Sequence, residues 1–219
     1  MDSLNDYLIQ KPRPLPVIVA VDRSGSMGTN GKIEALNIAL KDFISSIKGE
    51  DSNKAEIHIA LFSFGGESAT CDIPLTPISG VNTQTYQAKG KTPMGGAFEM
   101  VKELIEDKTQ IPSRSYKPTI VLLTDGIPTD DFLSPMNDLI NNGRSSKAFR
   151  IAMAIGDDAD HNMLSIFVSS PEYLVLGDSA RDIRKFFRFV TMSVTQRMKS
   201  QTPDMQQLLQ MPDDDTLDF

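Results

Sequence analysis

Val17-Ile18-Val19-Ala20-Val21-Asp22-Arg23-Ser24-Gly25-Ser26-Met27 is the stretch that decides how this chain reads. Its first five residues are apolar without a break, the pattern of a strand covered on both faces. Its second half supplies a carboxylate and two hydroxyls at alternate positions, Asp22, Ser24 and Ser26. Hard divalent cations such as Mg²⁺ take oxygen donors of this kind. In open α/β sheets, ligands sit beyond the carboxyl ends of the strands. The stretch therefore reads as a buried strand delivering a candidate cation site to a sheet rim. Taken alone, the same three residues would also serve to cap a following helix.

Outward from this stretch, apolar runs alternate with helical stripes. Residues 31–48 carry Ile33, Leu36, Ile38, Leu40, Phe43, Ile44 and Ile47 as a broad apolar face at helical spacing. Residues 55–64 predict a strand, and residues 69–78, interrupted by Pro74 and Pro77, a short edge strand. A glycine-rich loop over 90–96 leads into a helix over 97–106. Ile120-Val121-Leu122-Leu123 is a second fully apolar strand and ends in Thr124-Asp125-Gly126. Further on come a helix over 134–142 closed by Gly143, a strand over 149–155, a short helix over 160–167 and a last strand over 173–176. A long amphipathic helix over 180–198 buries Ile183, Phe186, Phe187, Val190 and Val194. Strands alternating with helices predict a doubly wound α/β domain, its parallel sheet covered on both sides. Residues 1–14, with the proline-stiffened run Lys11 to Pro16, form a lead-in segment. The domain occupies 15–198, and 199–219 reads as a flexible acidic tail.

Composition narrows the function. The 219 residues are 40% hydrophobic and 23% charged, ordinary for a soluble globular domain. A formal net charge of −7 speaks against a nucleic-acid binder, which shows a basic stripe. One cysteine, Cys71, excludes an internal disulfide and suits a reducing compartment. No apolar run approaches the ~20 residues of a membrane helix. The first residues carry acids where a secretory leader carries Lys or Arg. A cytoplasmic protein without membrane attachment is the expectation.

Three loops carry the chemistry: Asp22-Arg23-Ser24-Gly25-Ser26, Gly90-Lys91-Thr92-Pro93-Met94-Gly95-Gly96-Ala97 and Thr124-Asp125-Gly126. Asp22 and Asp125 share a rim if their strands are neighbours, and Thr92 adds a hydroxyl just ahead of a helix. Asp125-Gly126 alone is an ordinary turn. As a set, the loops resemble the metal-ion-dependent adhesion site of von Willebrand factor A domains: Asp-x-Ser-x-Ser, a Thr in a Thr-x-x-Gly loop, and an Asp in a Thr-Asp-Gly turn. The resemblance runs over about residues 15–197. It implies a three-layer α/β/α sandwich on a mainly parallel six-stranded sheet with one antiparallel edge strand. It also implies that Ser24 and Ser26 coordinate the cation directly, Asp22 directly or through water, and Thr92 and Asp125 in either mode. Mg²⁺ is the expected ion, although oxygen ligands suit Mn²⁺ and Ca²⁺ as well. Two carboxylates among neutral hydroxyls leave such an ion able to accept an Asp or Glu from a protein partner. That points to an adhesive role, not an enzyme.

A narrower resemblance is to the small cytoplasmic bacterial A domains of the tellurite-resistance TerY type. It rests on Asp72-Ile73-Pro74-Leu75-Thr76-Pro77, the Thr92–Ala97 loop, Phe186-Phe187-Arg188-Phe189-Val190 and Ser193-Val194. It implies an adaptor in a stress or defence complex with kinase- or phosphatase-like partners. The alternative is a regulatory subunit of a multi-component ATPase or kinase–phosphatase system. A dehalogenase-type phosphatase needs a second Asp where Ser24 stands, and a serine hydrolase needs Gly-x-Ser-x-Gly around Ser26; both fail. The Gly95-Gly96 loop lacks P-loop spacing. His58, inside a strand, and His161, at a helix start, offer no obvious base. The tail Pro212–Phe219, rich in Asp, could in principle occupy the cation site of its own or a neighbouring chain.

Overall fold

In the computed structural model, which describes residues 11–50 and 54–205, six strands form one sheet. They are β1 (Arg13–Asp22), β2 (Ala55–Gly65), β3 (Ser68–Pro77), β4 (Thr119–Thr124), β5 (Phe149–Ile155) and β6 (Leu174–Gly177). The order is β3-β2-β1-β4-β5-β6, parallel throughout except for β3, which runs antiparallel along β2. Helices α1 (Lys32–Lys48), α2 (Met94–Glu106), α3 (Leu133–Asn141), α4 (His161–Phe167) and α5 (Ala180–Lys199) complete the fold. α1 packs with α5, and α2 with α3. On α1, Ile38 is exposed, apart from the buried apolar face. Rings contribute: Phe43 of α1 meets Phe187 of α5 at 5.8 Å between centroids, and Phe98 of α2 stacks on Phe167 of α4 at 5.6 Å. This is the doubly wound α/β domain expected from the alternation of elements, and the α/β/α sandwich with one antiparallel edge strand that the resemblance implied.

The apolar strands are central because nothing else could cover them. Every residue of β4 is buried, as is every residue of β1 after Arg13. β1 begins at Arg13, four residues before the expected 17–21 strand. Arg13 to Pro16 pair with β2 alone, and β4 joins only from Val17. Pro14 and Pro16 thus fall where β1 has one neighbour, and a missing N–H is tolerated there. Helix α2 starts at Met94, earlier than the expected 97. The carboxylate of Asp130 accepts from the N–H groups of Gly95 (2.9 Å) and Gly96 (3.0 Å), donors that a helix start otherwise leaves unpaired.

At the amino ends of the strands, the buried Arg197 of α5 closes the core. It donates to the carbonyls of Pro203 (2.9 Å) and Lys117 (2.8 Å) and to Thr119 Oγ1. Residues 200–205 turn back beneath the sheet, and Asp204 accepts from Lys117 N at 2.7 Å. The rest of the acidic tail, including Pro212–Phe219, lies outside the described residues.

From β1 the chain passes through α1 to β2 on one side, then returns past β1 to β4 on the other. The order reverses between β1 and β4, which opens a crevice at their carboxyl ends.

Candidate metal centre

Asp22 ends β1 inside that crevice, fully buried. Its Oδ1 accepts from Ser24 N at 2.7 Å and its Oδ2 from Thr124 Oγ1 at 2.6 Å. Ser24 Oγ lies 3.0 Å from Ser26 Oγ, which donates to Asp125 Oδ1 at 2.7 Å. The other oxygen of Asp125 accepts from Lys32 Nζ at 2.8 Å. Thr92 arrives from the α2 side. Its loop is pinned to the β4–α3 connection: Thr92 N donates to Thr129 Oγ1, and Thr129 N to the Thr92 carbonyl, both at 3.0 Å. A Cβ placed on Gly126 would lie 3.5 Å from Thr92 Oγ1 and 3.9 Å from Ser26 Oγ, so these two hydroxyls border the same small space. All five residues singled out in the sequence therefore meet in one crevice. Ser26, Thr92 and Asp125 also line an open cavity of about 610 Å³ whose far wall carries Asp157, Asp158 and His161.

Burial raises the Asp22 carboxyl from its ordinary 3.8 to about 6. The hydrogen bonds from Thr124 and Ser24 pull it back down, and the Asp125 charge pushes it up again. A buried carboxylate with neutral donors and a second carboxylate beside it favours a positive charge at this place. The chain already puts one there, the ammonium of Lys32. The donors are hard oxygens, three hydroxyls and two carboxylates, which fit a divalent cation that takes oxygen ligands. Among the described residues, no three His, Cys, Asp or Glu side chains group together as metal ligands. A cation in this crevice would be held by hydroxyls with two carboxylates.

Four residues that build the crevice escaped sequence reasoning in that role. Thr124 stands inside the Thr-Asp-Gly turn but serves Asp22, a strand away. Thr129 and Asp130 follow the turn and hold the Thr92 loop. Lys32 looks like an ordinary helix-start lysine. Only the fold brings them together. The glycine at 95 answers a close approach: a Cβ there would meet the Asp131 carbonyl oxygen at 2.3 Å. Met94 is core filler, fully buried. Cys71 is exposed on β3, its thiol raised by desolvation and by Asp72. His58 pairs with Glu56 at 2.9 Å. His161 joins the cavity wall, and its Nε2 lies 3.1 Å from the Gly156 carbonyl, not beside a hydroxyl of the crevice.

A sheet with this strand order, bearing this loop set at its switch point, defines a class of Rossmann-like domains. The model of the von Willebrand factor type A domain matches residues 17–189, and the chain belongs to that family. Solved structures share the fold at low identity. The pilus adhesin SpaC from Lactobacillus rhamnosus GG aligns with a TM-score of 0.68 and 15% identity, over 86% of this chain and 31% of that one. Proximal thread matrix protein 1 from the mussel byssus, with a zinc-occupied MIDAS motif, aligns at 0.61 and 18%, over 86% of this chain and 47% of that one. The von Willebrand domain of the pili tip protein Mfa5 from Porphyromonas gingivalis aligns at 0.62 and 12%, over 86% and 97%. This chain thus spans about a third to a half of the SpaC and mussel chains. No curated protein matches it.

Proposed function

We propose that this protein is a cation-dependent protein-binding adaptor. The observation that carries the reading is the meeting of Asp22, Ser24, Ser26, Thr92 and Asp125 from three separate loops in one crevice open to solvent. Domains of this family commonly serve as metal-dependent interaction modules. Here Ser24, Ser26 and Thr92 would hold a divalent ion with neutral oxygens, and Asp22 and Asp125 would supply the charge. When bound, the ion supplies a Lewis-acidic centre that accepts an oxygen from outside. Mg²⁺ prefers six oxygens in near-octahedral array and keeps water where the protein offers nothing. An Asp or Glu of a partner protein is the ligand suited to that position. Mg²⁺ suits the hydroxyl-rich set, Mn²⁺ and Ca²⁺ are alternatives, and the zinc in the mussel protein supports occupancy of such a crevice by a divalent ion.

The same reading makes the chain a binder and not an enzyme. Ser26 is hydrogen-bonded to a carboxylate and another serine, without a histidine to activate it. Cytoplasmic residence and a TerY-type setting in a bacterial stress or defence complex belong to the proposal, supported by the single cysteine and by the motifs of β3, α2 and α5.

A pull-down with wild-type protein and Asp22→Ala, each with Mg²⁺, with chelator, and with Mg²⁺ restored, tests this. Capture of a partner that chelator removes, Mg²⁺ restores and Asp22→Ala lacks is the expected result. Equal capture under all conditions would refute the reading.

A further inference from the structure

Lys32, the first residue of α1, reaches into the crevice and places its ammonium 2.8 Å from Asp125 Oδ2. Its side chain is 14% exposed and that of Asp125 is 0% exposed. The ion pair therefore lies mostly out of water, where charge-assisted bonds are strong. Among the described residues, no other lysine or arginine side chain is bonded to Asp22 or Asp125. With Oδ1 taken by Ser26 and Oδ2 by Lys32, both oxygens of Asp125 are engaged within the chain.

We infer that Lys32 is an internal counter-ion that a divalent cation must unseat from Asp125, and that it thereby sets the cation affinity of the site. This rests on the cation-site reading above. The charges decide the sign. Two carboxylates with one ammonium leave a net charge of one negative. A divalent ion placed among them without the lysine makes the crevice neutral. With the lysine still at the rim, the loaded crevice is positive by one, and an incoming carboxylate neutralises it. The lysine thus weakens the hold on the cation and strengthens the demand for an acidic ligand. Its long, flexible stem and its partial exposure give the ammonium a way out to solvent once displaced.

The test is titration of Mn²⁺, followed by the electron paramagnetic resonance of the free ion, into the full chain at pH 7.5. Wild type, Lys32→Met, Lys32→Gln, Lys32→Arg and Asp22→Ala are compared. Neutral residues at 32 should tighten Mn²⁺ binding by about tenfold or more, and arginine should leave it within about threefold of wild type. Melting curves give a second readout. Without Mn²⁺, Lys32→Met and Lys32→Gln should melt below wild type, because Asp125 loses its counter-charge. With saturating Mn²⁺, they should gain more than wild type does. Equal or weaker Mn²⁺ binding by both neutral variants, with binding abolished by Asp22→Ala, would overturn the role of Lys32 alone. Binding that survives Asp22→Ala, or no binding by wild type at all, would overturn the cation site and this inference with it.

Discussion

The two ends of the sheet handle buried charge in opposite ways. At the amino ends of the strands, one buried cation, Arg197, is enclosed by oxygens of its own chain: the Pro203 and Lys117 carbonyls, Thr119 Oγ1, and Asp204 at 3.8 Å. Its guanidinium lies 4.2 Å from the centre of the Phe149 ring, and burial pulls its pKa down to about 10, still charged at neutral pH. At the carboxyl ends, buried oxygens outnumber the chain's own cation, and that cation is a lysine at the rim. The closed end is structural. The open end holds two buried carboxylates against one ammonium, with a space of about 610 Å³ beside them. Polarity buried in a core does not by itself mark function; buried charge that the chain leaves unbalanced beside open space points to a ligand.

The largest expected effect breaks the closed end. Arg197→Met leaves the carbonyls of Lys117 and Pro203 and the hydroxyl of Thr119 without their donor, and should cost about 3–5 kcal/mol in urea unfolding. Cation affinity should stay as it was; a matching loss there would abolish the distinction between the two ends. Next in size is the pH response of the open end. The Asp22 carboxyl is raised from 3.8 to about 6, so its contribution to stability is full below pH 3.8 and is lost as pH rises through about 6. In chelator, this should remove roughly 3 kcal/mol of stability between those values. Below pH 6, a cation must also displace a proton, so its affinity should fall up to about tenfold per pH unit and level off above. Calorimetry in buffered steps from about pH 4 to about pH 8, roughly two units either side of the raised carboxyl, reads both.

Smaller effects sharpen the picture of the rim. Gly95→Ala drives a methyl against the Asp131 carbonyl oxygen, 2.3 Å from the added carbon, and should cost about 1–3 kcal/mol. Because that backbone anchors the Thr92 loop, cation affinity should fall as well. Thr124→Val removes the hydroxyl 2.6 Å from Asp22 Oδ2 and should cost about 1–2 kcal/mol, with the pH step of cation binding moved upward. A Val variant whose pH step is unchanged would mean that Thr124 does not support Asp22.

The strands and the five candidate ligands were legible because each has a local signature. Val17–Val21 and Ile120–Leu123 are apolar runs that lead into Asp22 and Thr124-Asp125, and the three loops are short patterns in fixed order. What supports the ligands was not legible. Lys32, Thr124, Thr129 and Asp130 act on partners 34 to 102 positions away. No periodicity records such distances. The start of β1 at Arg13 was hidden by Pro14 and Pro16, which suggest a lead-in until the pairing with β2 alone is known. Arg197 sits on a helix whose more obvious cations, Arg181, Arg184 and Arg188, are exposed.

Anomalous diffraction from crystals of the protein grown with Mn²⁺ tests the central claim most directly. The account predicts a peak within coordination distance of the Ser24 and Ser26 hydroxyls, between Asp22, Thr92 and Asp125, with the Lys32 ammonium drawn off Asp125. A crevice without a peak at saturating Mn²⁺, with Lys32 still on Asp125, would contradict it.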